Sequence, residues 1–247
     1  MSSWPYGTWE FLANWTDSTW GNTFDPSTLS ASELQAFRQG AVDIVKGITG
    51  ATFNGYESWL ATLQRYPPTS LTADTTTISG ESYGNGTYIT SADSYYSGWQ
   101  YGAPWNSFDY FYTWDKNWLH SLSSTSGWIQ IQMPSHIVLK EFSLWFNGPE
   151  GVALDFNVEG SNDGGTTMTQ LYTVTDKAYE TPTSFPDDMR TDYPSPATQQ
   201  PLANLKTTTV DLSANTTAYS TYRLNITRHS TNHYTHLLQW VMMGTPE

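Results

Sequence analysis

Short runs of alternating apolar and polar residues fill the chain from residue 75 onward, and turn-forming residues separate them. Successive side chains of a strand point to opposite faces, so alternation places one face in a core and the other in water. In "GWIQIQMP", Ile129 and Ile131 share one face and Gln130 lies on the other. Eight such runs predict a mainly β protein, an antiparallel β-sandwich. The runs are "TYITSA", "GWIQIQMP", "IVLKEFSLWF", "VALDFNVEGS", "TQLYTVT", "TTTVDL", "YRLNIT" and "LLQWVMM".

The stretch "FNVEGSNDGG" (156–165) predicts how one of these strands ends. Asn162, Asp163 and Gly164 are residue types that form tight turns readily, so we expect a hairpin there. Asp163 is acidic, but the Asp-Gly pair is a strong turn signal without any catalytic role. We therefore interpret Asp163 as a turn residue.

Residues 1–74 differ in character, and we predict two domains, 1–74 and 75–247. Residues 1–28 are rich in aromatic side chains without a clear period, which predicts an extended arm that buries its rings against another surface. Residues 29–48 place apolar side chains three and four apart, which predicts an amphipathic helix. The segment "YESWLATLQRY" (56–66) predicts a second, short helix, ended by the two prolines that follow. This small helical region is expected to pack on the sandwich or on a neighbouring chain.

The composition excludes several classes of partner and site. The formal net charge is −13 with only ten Lys and Arg residues, which disfavours nucleic acid and anionic membranes as partners. The chain has no cysteine, so disulfides and thiolate metal sites are excluded. Neither a signal-peptide pattern nor an apolar run of membrane-spanning length is present, and we expect no membrane insertion.

Five markers resemble, in order, the discoidin or coagulation-factor type C family. They are "NSFDY" (106–110), "NWLHS" (117–121), "GWIQIQMP" (127–134), "VEGSNDGGT" (158–166) and "YRLNIT" (222–227). That family consists of galactose-binding-like jelly rolls and is found in carbohydrate-binding modules and in phage tail or fibre proteins. The resemblance covers the predicted sandwich, and it implies that ligands bind in loops at one end.

The resemblance also implies a calcium site near the Phe-Asp pair. Many members hold the ion with the Asp side chain, nearby carbonyls and a Glu on the last strand. Asp109 matches the Asp, but Gln239 stands at the Glu position and Tyr110 replaces the family's Gly. Calcium favours charged oxygen ligands, so the missing carboxylate weakens the prediction and leaves calcium at Asp109 open.

The loop "YYSGWQYGAPWNS" carries the residues best suited to binding a sugar: Trp99, Tyr101 and Trp105. Aromatic rings stack on the C–H faces of sugars, while amide and carboxylate groups bind the hydroxyls. Asn232 and His233, in the loop before the last strand, are further candidates. The alternative is that these rings pack against the N-terminal arm or a neighbouring subunit, since aromatic residues are also enriched at protein interfaces.

Two other patterns indicate no reactive centre. His229, His233 and His236 could suggest zinc, but their segment joins two strands and offers no acidic partner, so we interpret them as polar loop residues. Asp187 and Asp188 are adjacent, which suits a glycosidase pair poorly. The sequence also lacks a Gly-x-Ser-x-Gly elbow and a phosphate-binding glycine loop. We expect a protein that is not an enzyme.

Taken with the resemblance, these features predict a virion component of the phage tail or fibre type that recognises a host-surface glycan. Such a protein would be made in the host cytoplasm and delivered by assembly. It would form a homo-oligomer and contact other virion proteins through residues 1–74. The alternative is a structural decoration, collar or minor capsid protein that uses the sandwich for protein contacts. A glycan-cleaving enzyme is a third and weaker hypothesis.

Overall fold

The computed structural model describes residues 63–96, 102–113, 116–120, 126–148, 151–185, 189, 201–230 and 235–247. The chain divides into two compact units, Met1–Leu63 and Gln64–Glu247. The predicted arm and the predicted helix over residues 29–48 lie outside the described residues. No helix among the described residues is long and apolar enough to cross a membrane.

The described part of the second unit consists mainly of antiparallel strands. They are β1 Gln64–Tyr66, β2 Thr75–Ile78, β3 Gly86–Ala92, β4 Trp118–Leu119, β5 Gly127–Asn147, β6 Ala153–Ser161, β7 Thr169–Val174, β8 Leu205–Asp211, β9 Tyr219–His229 and β10 His236–Pro246. Two short 3-10 helices span Pro104–Phe108 and Leu202–Asn204. Each of the eight predicted runs lies in a strand, and two of them form the single strand β5.

Strand β5 belongs to both layers of the sandwich. Its first half pairs with β3 and β9, so that Ile129 lies opposite Ala92 and Leu224. Its second half pairs with β8 and β10, where Phe142 is the partner of Val210 and Met242. One layer is therefore β2-β3-β5-β9-β6-β7, and the other is β8-β5-β10 with β1 and β4 on the free edge of β10. The predicted β-sandwich is confirmed.

One core lies between the two layers. Ile129 and Ile131 are fully buried in it, as the alternation predicts. Burial of each such side chain contributes about 1.5–3 kcal/mol to folding. Other members of this core are Tyr88, Phe108, Trp118, Phe142, Leu144, Phe146, Phe156, Val158, Tyr222, Leu224, Ile226, Trp240 and Met242. A second cluster of Tyr112, Trp145, Leu205 and Leu238 is separate from this core.

The β6–β7 hairpin uses its acidic residue as a structural element. Gly164 and Gly165 have φ angles of 73° and 93°, so these two glycines, rather than the preceding Asn-Asp pair, supply the left-handed geometry. The Asp163 carboxylate accepts the Thr167 N–H at 2.8 Å and the Ser161 hydroxyl at 2.7 Å. These hydrogen bonds lower the pKa of Asp163 to about 2. Asp163 is therefore a turn residue, as predicted.

The helix predicted over residues 56–66 is wrong at its C-terminal end. Gln64–Tyr66 form β1 and pair with Met242 to Gly244 of β10, and Tyr66 is buried. The open edge of β10 offers backbone partners that outweigh the local helical spacing, which is a weak preference. Among the described residues, the sheet therefore starts at Gln64, ahead of the boundary predicted at residue 75. Strands β1, β2 and β4 span two to four residues, too few to show alternation.

Tyr222 secures the point where β5 passes from one layer to the other. The pairing of β5 with β9 shifts between Gln132 and Ile137. There the buried Tyr222 hydroxyl donates to the Ile137 carbonyl oxygen at 2.6 Å and accepts the Leu139 N–H at 3.3 Å. The side chain thus satisfies two backbone groups at an interruption of the ladder.

We expect Tyr222→Phe to lower the free energy of unfolding by about 1–3 kcal/mol, because it removes the partner of two buried backbone groups. Chemical denaturation measures this change. Tyr95→Phe, at a side chain that is 44% exposed, is the matched control and should change stability by less than about 0.5 kcal/mol. Equal stability of Tyr222→Phe and the unmodified protein would contradict this role of the hydroxyl.

Candidate functional site

Strand β4 organises one end of the sandwich, which we call the loop end. The Tyr96 N–H donates to the Leu119 carbonyl oxygen at 2.9 Å, and the Leu119 N–H donates to the Gly102 carbonyl oxygen at 3.3 Å. The His120 N–H donates to the Thr235 carbonyl oxygen at 3.2 Å. The loop end therefore comprises β4, the residues bonded to it and the neighbouring 3-10 helix Pro104–Phe108.

The loop end brings together the chain around the predicted sugar-binding residues. Trp99, Tyr101, Asn232 and His233 themselves lie outside the described residues. Their described neighbours bond to β4 or to the residue directly after it. Tyr96 and Gly102, on the two sides of 97–101, bond to Leu119, and Thr235, two residues after His233, bonds to His120. The two predicted ligand segments thus have their stems at one place.

Gly102 allows the stems to approach closely. A Cβ atom at Gly102 would lie 2.7 Å from the Tyr96 carbonyl oxygen and 3.6 Å from the Leu119 Cβ. The first distance is shorter than a Cβ contact with backbone tolerates, and a backbone atom has little freedom to move. The absence of a side chain at Gly102 therefore allows the backbone at Gly102 to lie close to the Tyr96 carbonyl next to β4.

Trp105 is the one predicted sugar-binding residue that the structure describes. It lies in the 3-10 helix, which has Pro104 at its first turn, and its ring is partly buried against the main core. The Lys116 Nζ lies 4.9 Å from the ring centroid, a cation–π contact. The Ser107 hydroxyl donates to the Leu237 carbonyl oxygen at 2.9 Å and ties the helix to β10.

Tyr95 is a surface aromatic residue that the sequence analysis missed. Its side chain is 44% exposed, and it precedes Tyr96 at the start of the stem. The Trp118 indole N–H donates to the Ser94 carbonyl oxygen at 3.1 Å, which holds the backbone next to Tyr95. Nothing in the run "YYSGWQYGAPWNS" distinguishes Tyr95 from its neighbours, since the run has no period.

Three histidines lie in or beside strands at this end rather than in a polar loop, so our interpretation of His229 and His236 is wrong. His229 ends β9 and is buried, and His236 begins β10. Burial lowers the pKa of His236 to about 4. Burial also lowers the pKa of His120, although Asp93, whose Oδ1 lies 3.4 Å from His120 Nε2, opposes the shift. Among the described residues, no group of three His, Cys, Asp or Glu side chains could hold a metal ion.

Asp109 and Gln239 form a fully buried pair under the loop end. The Gln239 Nε2 donates to the Asn106 carbonyl oxygen at 3.0 Å, to Asp109 Oδ1 at 2.9 Å and to the Phe111 carbonyl oxygen at 3.0 Å. The Gln239 Oε1 accepts the Tyr110 N–H at 3.2 Å. A carboxylate and two carbonyls are the ligand types that calcium takes, but here an amide nitrogen lies among them. These residues therefore do not fit the calcium ion that the resemblance implies.

Tyr110, at the position where the resemblance implies a glycine, has the backbone geometry that a glycine would favour. Its φ angle is 66°, in the left-handed region, which costs a non-glycine residue on the order of 1–3 kcal/mol. Its hydroxyl donates to the Pro67 carbonyl oxygen, and the Arg65 guanidinium carbon lies 3.5 Å from its ring centroid. These contacts hold the strained residue against β1 and against Pro67, directly after it.

Comparisons with known proteins give a likeness of fold. No protein-family model and no curated protein matches the sequence. A chitosan-binding module from a Paenibacillus sp. IK-5 chitosanase/glucanase matches with 15% identity and a TM-score of 0.43, over 63% of this chain and 93% of the module. The family 32 CBM of Clostridium perfringens NanJ in complex with galactose matches with 10% identity and a TM-score of 0.43, over 63% and 93%.

An F5/8 type C domain from Bacteroides fragilis matches with 9% identity and a TM-score of 0.46, over 71% of this chain and 100% of the domain. The chain is similar in fold to discoidin-type carbohydrate-binding modules. This is the class of fold that its sequence resembles.

Acid should destabilise the loop end through its buried histidines. In the folded protein the pKa of His236 is about 4, below the ordinary value of 6.5, so the unfolded chain binds the proton first. The stabilising contribution is complete above pH 6.5 and is lost as the pH falls towards 4. Asp163, whose pKa is lowered to about 2, keeps its stabilising contribution throughout this window and loses it only as the pH falls further, towards 2.

We therefore expect the free energy of unfolding to fall between pH 6.5 and pH 4, and to fall by at least about 1 kcal/mol less in His236→Gln. Urea denaturation across this pH range measures both slopes. His136→Gln, whose histidine side chain is 48% exposed, is the control and should keep the slope of the unmodified protein. The same slope in His236→Gln would contradict the assignment.

Proposed function

We propose that the protein is a non-catalytic virion component of the phage tail or fibre type, and that its sandwich binds a host-surface glycan at the loop end. One observation carries the glycan-binding part of the proposal. The stem residues of the first predicted ligand segment bond to the short strand β4. The chain after the second segment bonds to His120, directly after β4, and pairs with β4 through His236. A site assembled from separate segments on a rigid scaffold is the usual design of a binding surface.

The side chains at the loop end have the chemistry that sugar recognition needs. Tyr95 presents an exposed ring, and Lys116 holds an ammonium group beside the Trp105 ring. A ring can pack against the C–H face of a sugar, while an ammonium group can donate to its hydroxyls. The formal net charge of −13 favours neutral or amino sugars, because it repels polyanionic polysaccharides.

The ligands named in solved structures of similar fold are sugars. They include galactose, GalNAc-β-1,3-galactose and chitotriose. We propose the same class of ligand for this chain, and the support for it is the set of residues at the loop end. One similar fold belongs to a chain that also contains an alginate lyase domain, so such modules also occur beside enzymes.

The alternative function is a structural decoration, collar or minor capsid protein. The specific observation in its favour is the aromatic content of residues 1–28, which include Trp4, Tyr6, Trp9, Phe11, Trp15, Trp20 and Phe24. Such rings are typical of a segment that is buried against another chain. In both versions we propose that residues 1–74 attach the protein to other virion proteins as a homo-oligomer.

Removing a ring from the loop end should weaken glycan binding. We expect Tyr95→Ala and Trp105→Ala each to lower, by about tenfold or more, the affinity for the sugar that the unmodified protein selects on a glycan array. We expect Trp99→Ala to lower the affinity for the same sugar. Ile89→Ala is the matched control: its side chain is 41% exposed, but it lies on β3, opposite Thr75 and Gln132.

Thermal melting of each variant checks that the fold is kept. Absence of any bound sugar on the array, or equal loss of affinity in Ile89→Ala and the ring variants, would contradict a glycan site at the loop end. Depolymerisation of a polysaccharide by the purified protein would instead support the enzyme hypothesis.

The attachment role of the N-terminal region is tested separately. We expect deletion of residues 1–28 to abolish incorporation into virus particles, because the aromatic arm would supply the contact with other virion proteins. Immunoblotting of purified particles measures incorporation. Particles that contain the shortened chain at the normal level would contradict an anchoring arm, and glycan binding by the shortened chain shows that the sandwich is intact.

A further inference from the structure

We propose that the Gln239 side-chain amide takes the place of a metal ion beneath the loop end. It bonds the loop from Asn106 to Phe111 to the last strand, so that the stability of the sandwich does not depend on calcium. The proposal rests on the geometry of Asn106, Asp109, Phe111 and Gln239 rather than on the proposed glycan-binding function.

The amide nitrogen of Gln239 makes the contacts that a cation would make. Three oxygens lie within 3.0 Å of Nε2, namely the Asn106 and Phe111 carbonyl oxygens and Asp109 Oδ1. A cation among such oxygens would attract them to one point, and here an N–H donor group attracts them instead. The loop from Asn106 to Phe111 is thus bonded to the last strand through one side chain.

The orientation of the amide follows from its surroundings. At one end of the Gln239 side chain, three oxygens can only accept hydrogen bonds. At the other end, the Tyr110 N–H can only donate. The opposite orientation would place the amide oxygen against three acceptors and the NH2 group against a donor, so the network allows a single assignment.

The charge of the site also suits an amide rather than a divalent ion. Asp109 supplies one carboxylate, and Gln239, where the resemblance implies a Glu, supplies none. The Phe111 N–H donates to Asp109 Oδ1 at 2.9 Å, so two N–H donors already stabilise the carboxylate. Burial raises the pKa of Tyr112 to about 12, while the positive charge of Arg65 lowers it and the negative charge of Asp109 raises it. A positively charged side chain therefore lies in the same neighbourhood as the Asp109 carboxylate.

The first test is the thermal stability of the unmodified protein in EDTA and in millimolar CaCl2. We expect the two melting temperatures to agree within about 1 °C. An ion bound at a hundred times its dissociation constant would raise the melting temperature of a domain of this size by about 5–10 °C. A calcium-dependent rise of that order would overturn the proposal.

The second test places a carboxylate at position 239, so that the site has the second charged ligand that calcium favours. In Gln239→Glu the donors are lost and a second negative charge faces Asp109, so we expect the melting temperature in EDTA to fall by at least about 5 °C. Millimolar CaCl2 should recover most of this loss, because two carboxylates and two carbonyls form a calcium site. Isothermal titration with CaCl2 should give heat for this variant and none for the unmodified protein.

Two further variants complete the test. Gln132→Glu, on the partly exposed side of β5, is the same chemical change at another place and should show no calcium response. Asp109→Asn keeps an oxygen that can accept from Gln239 and Phe111, so we expect it to fold with little loss of stability. If Gln239→Glu melts like the unmodified protein in EDTA, or if Asp109→Asn abolishes folding, the amide is not the closing element and the proposal is overturned.

Discussion

The continuity of β5 is the constraint on which the sandwich depends. This 21-residue strand supplies hydrogen bonds to β3 and β9 in one layer and to β8 and β10 in the other. A strand of this length stays in both layers only if it bends, and a bend interrupts the ladder. Pro134 lies where the pairing with β9 shifts, and proline has no N–H to lose. The Tyr222 hydroxyl then satisfies the backbone groups beyond it.

The spacing of the buried residues along β5 also follows from an interruption of the ladder. Ile129, Ile131, Ile137 and Leu139 follow a period of two, and Phe142 follows a step of three. The register of β5 with β10 shifts at this step, between Leu139 and Glu141. A bulge adds one residue to one strand, so the inward face is resumed one position later. The sequence run "IVLKEFSLWF" is therefore a strand with a bulge rather than an imperfect pattern.

Much of the sandwich could be predicted from the sequence, because strand alternation is local information. The burial of Ile129 and Ile131 needs only the neighbouring residues, and so does the turn at Asp163. Strand β1 could not be predicted, because Gln64–Tyr66 become a strand only through pairing with residues far along the chain. The Gln239 network has the same character, since its bonds join residues about 130 positions apart. At the site, Trp105 could be named from its type, whereas Tyr95 required knowledge of exposure.

Among the described residues, more of the large aromatic side chains lie in the interior than at the surface. Trp118, Phe108 and Trp240 are buried next to the loop end, and Tyr95 is the large aromatic side chain with an exposed surface among the described residues. Rings packed in this way limit the motion of β4 and of the 3-10 helix, because interiors are close-packed. A binding residue on a fixed backbone loses less conformational entropy when its ligand arrives. In the proposed function, the buried aromatic residues would contribute to recognition indirectly, by holding Tyr95 and its backbone in place.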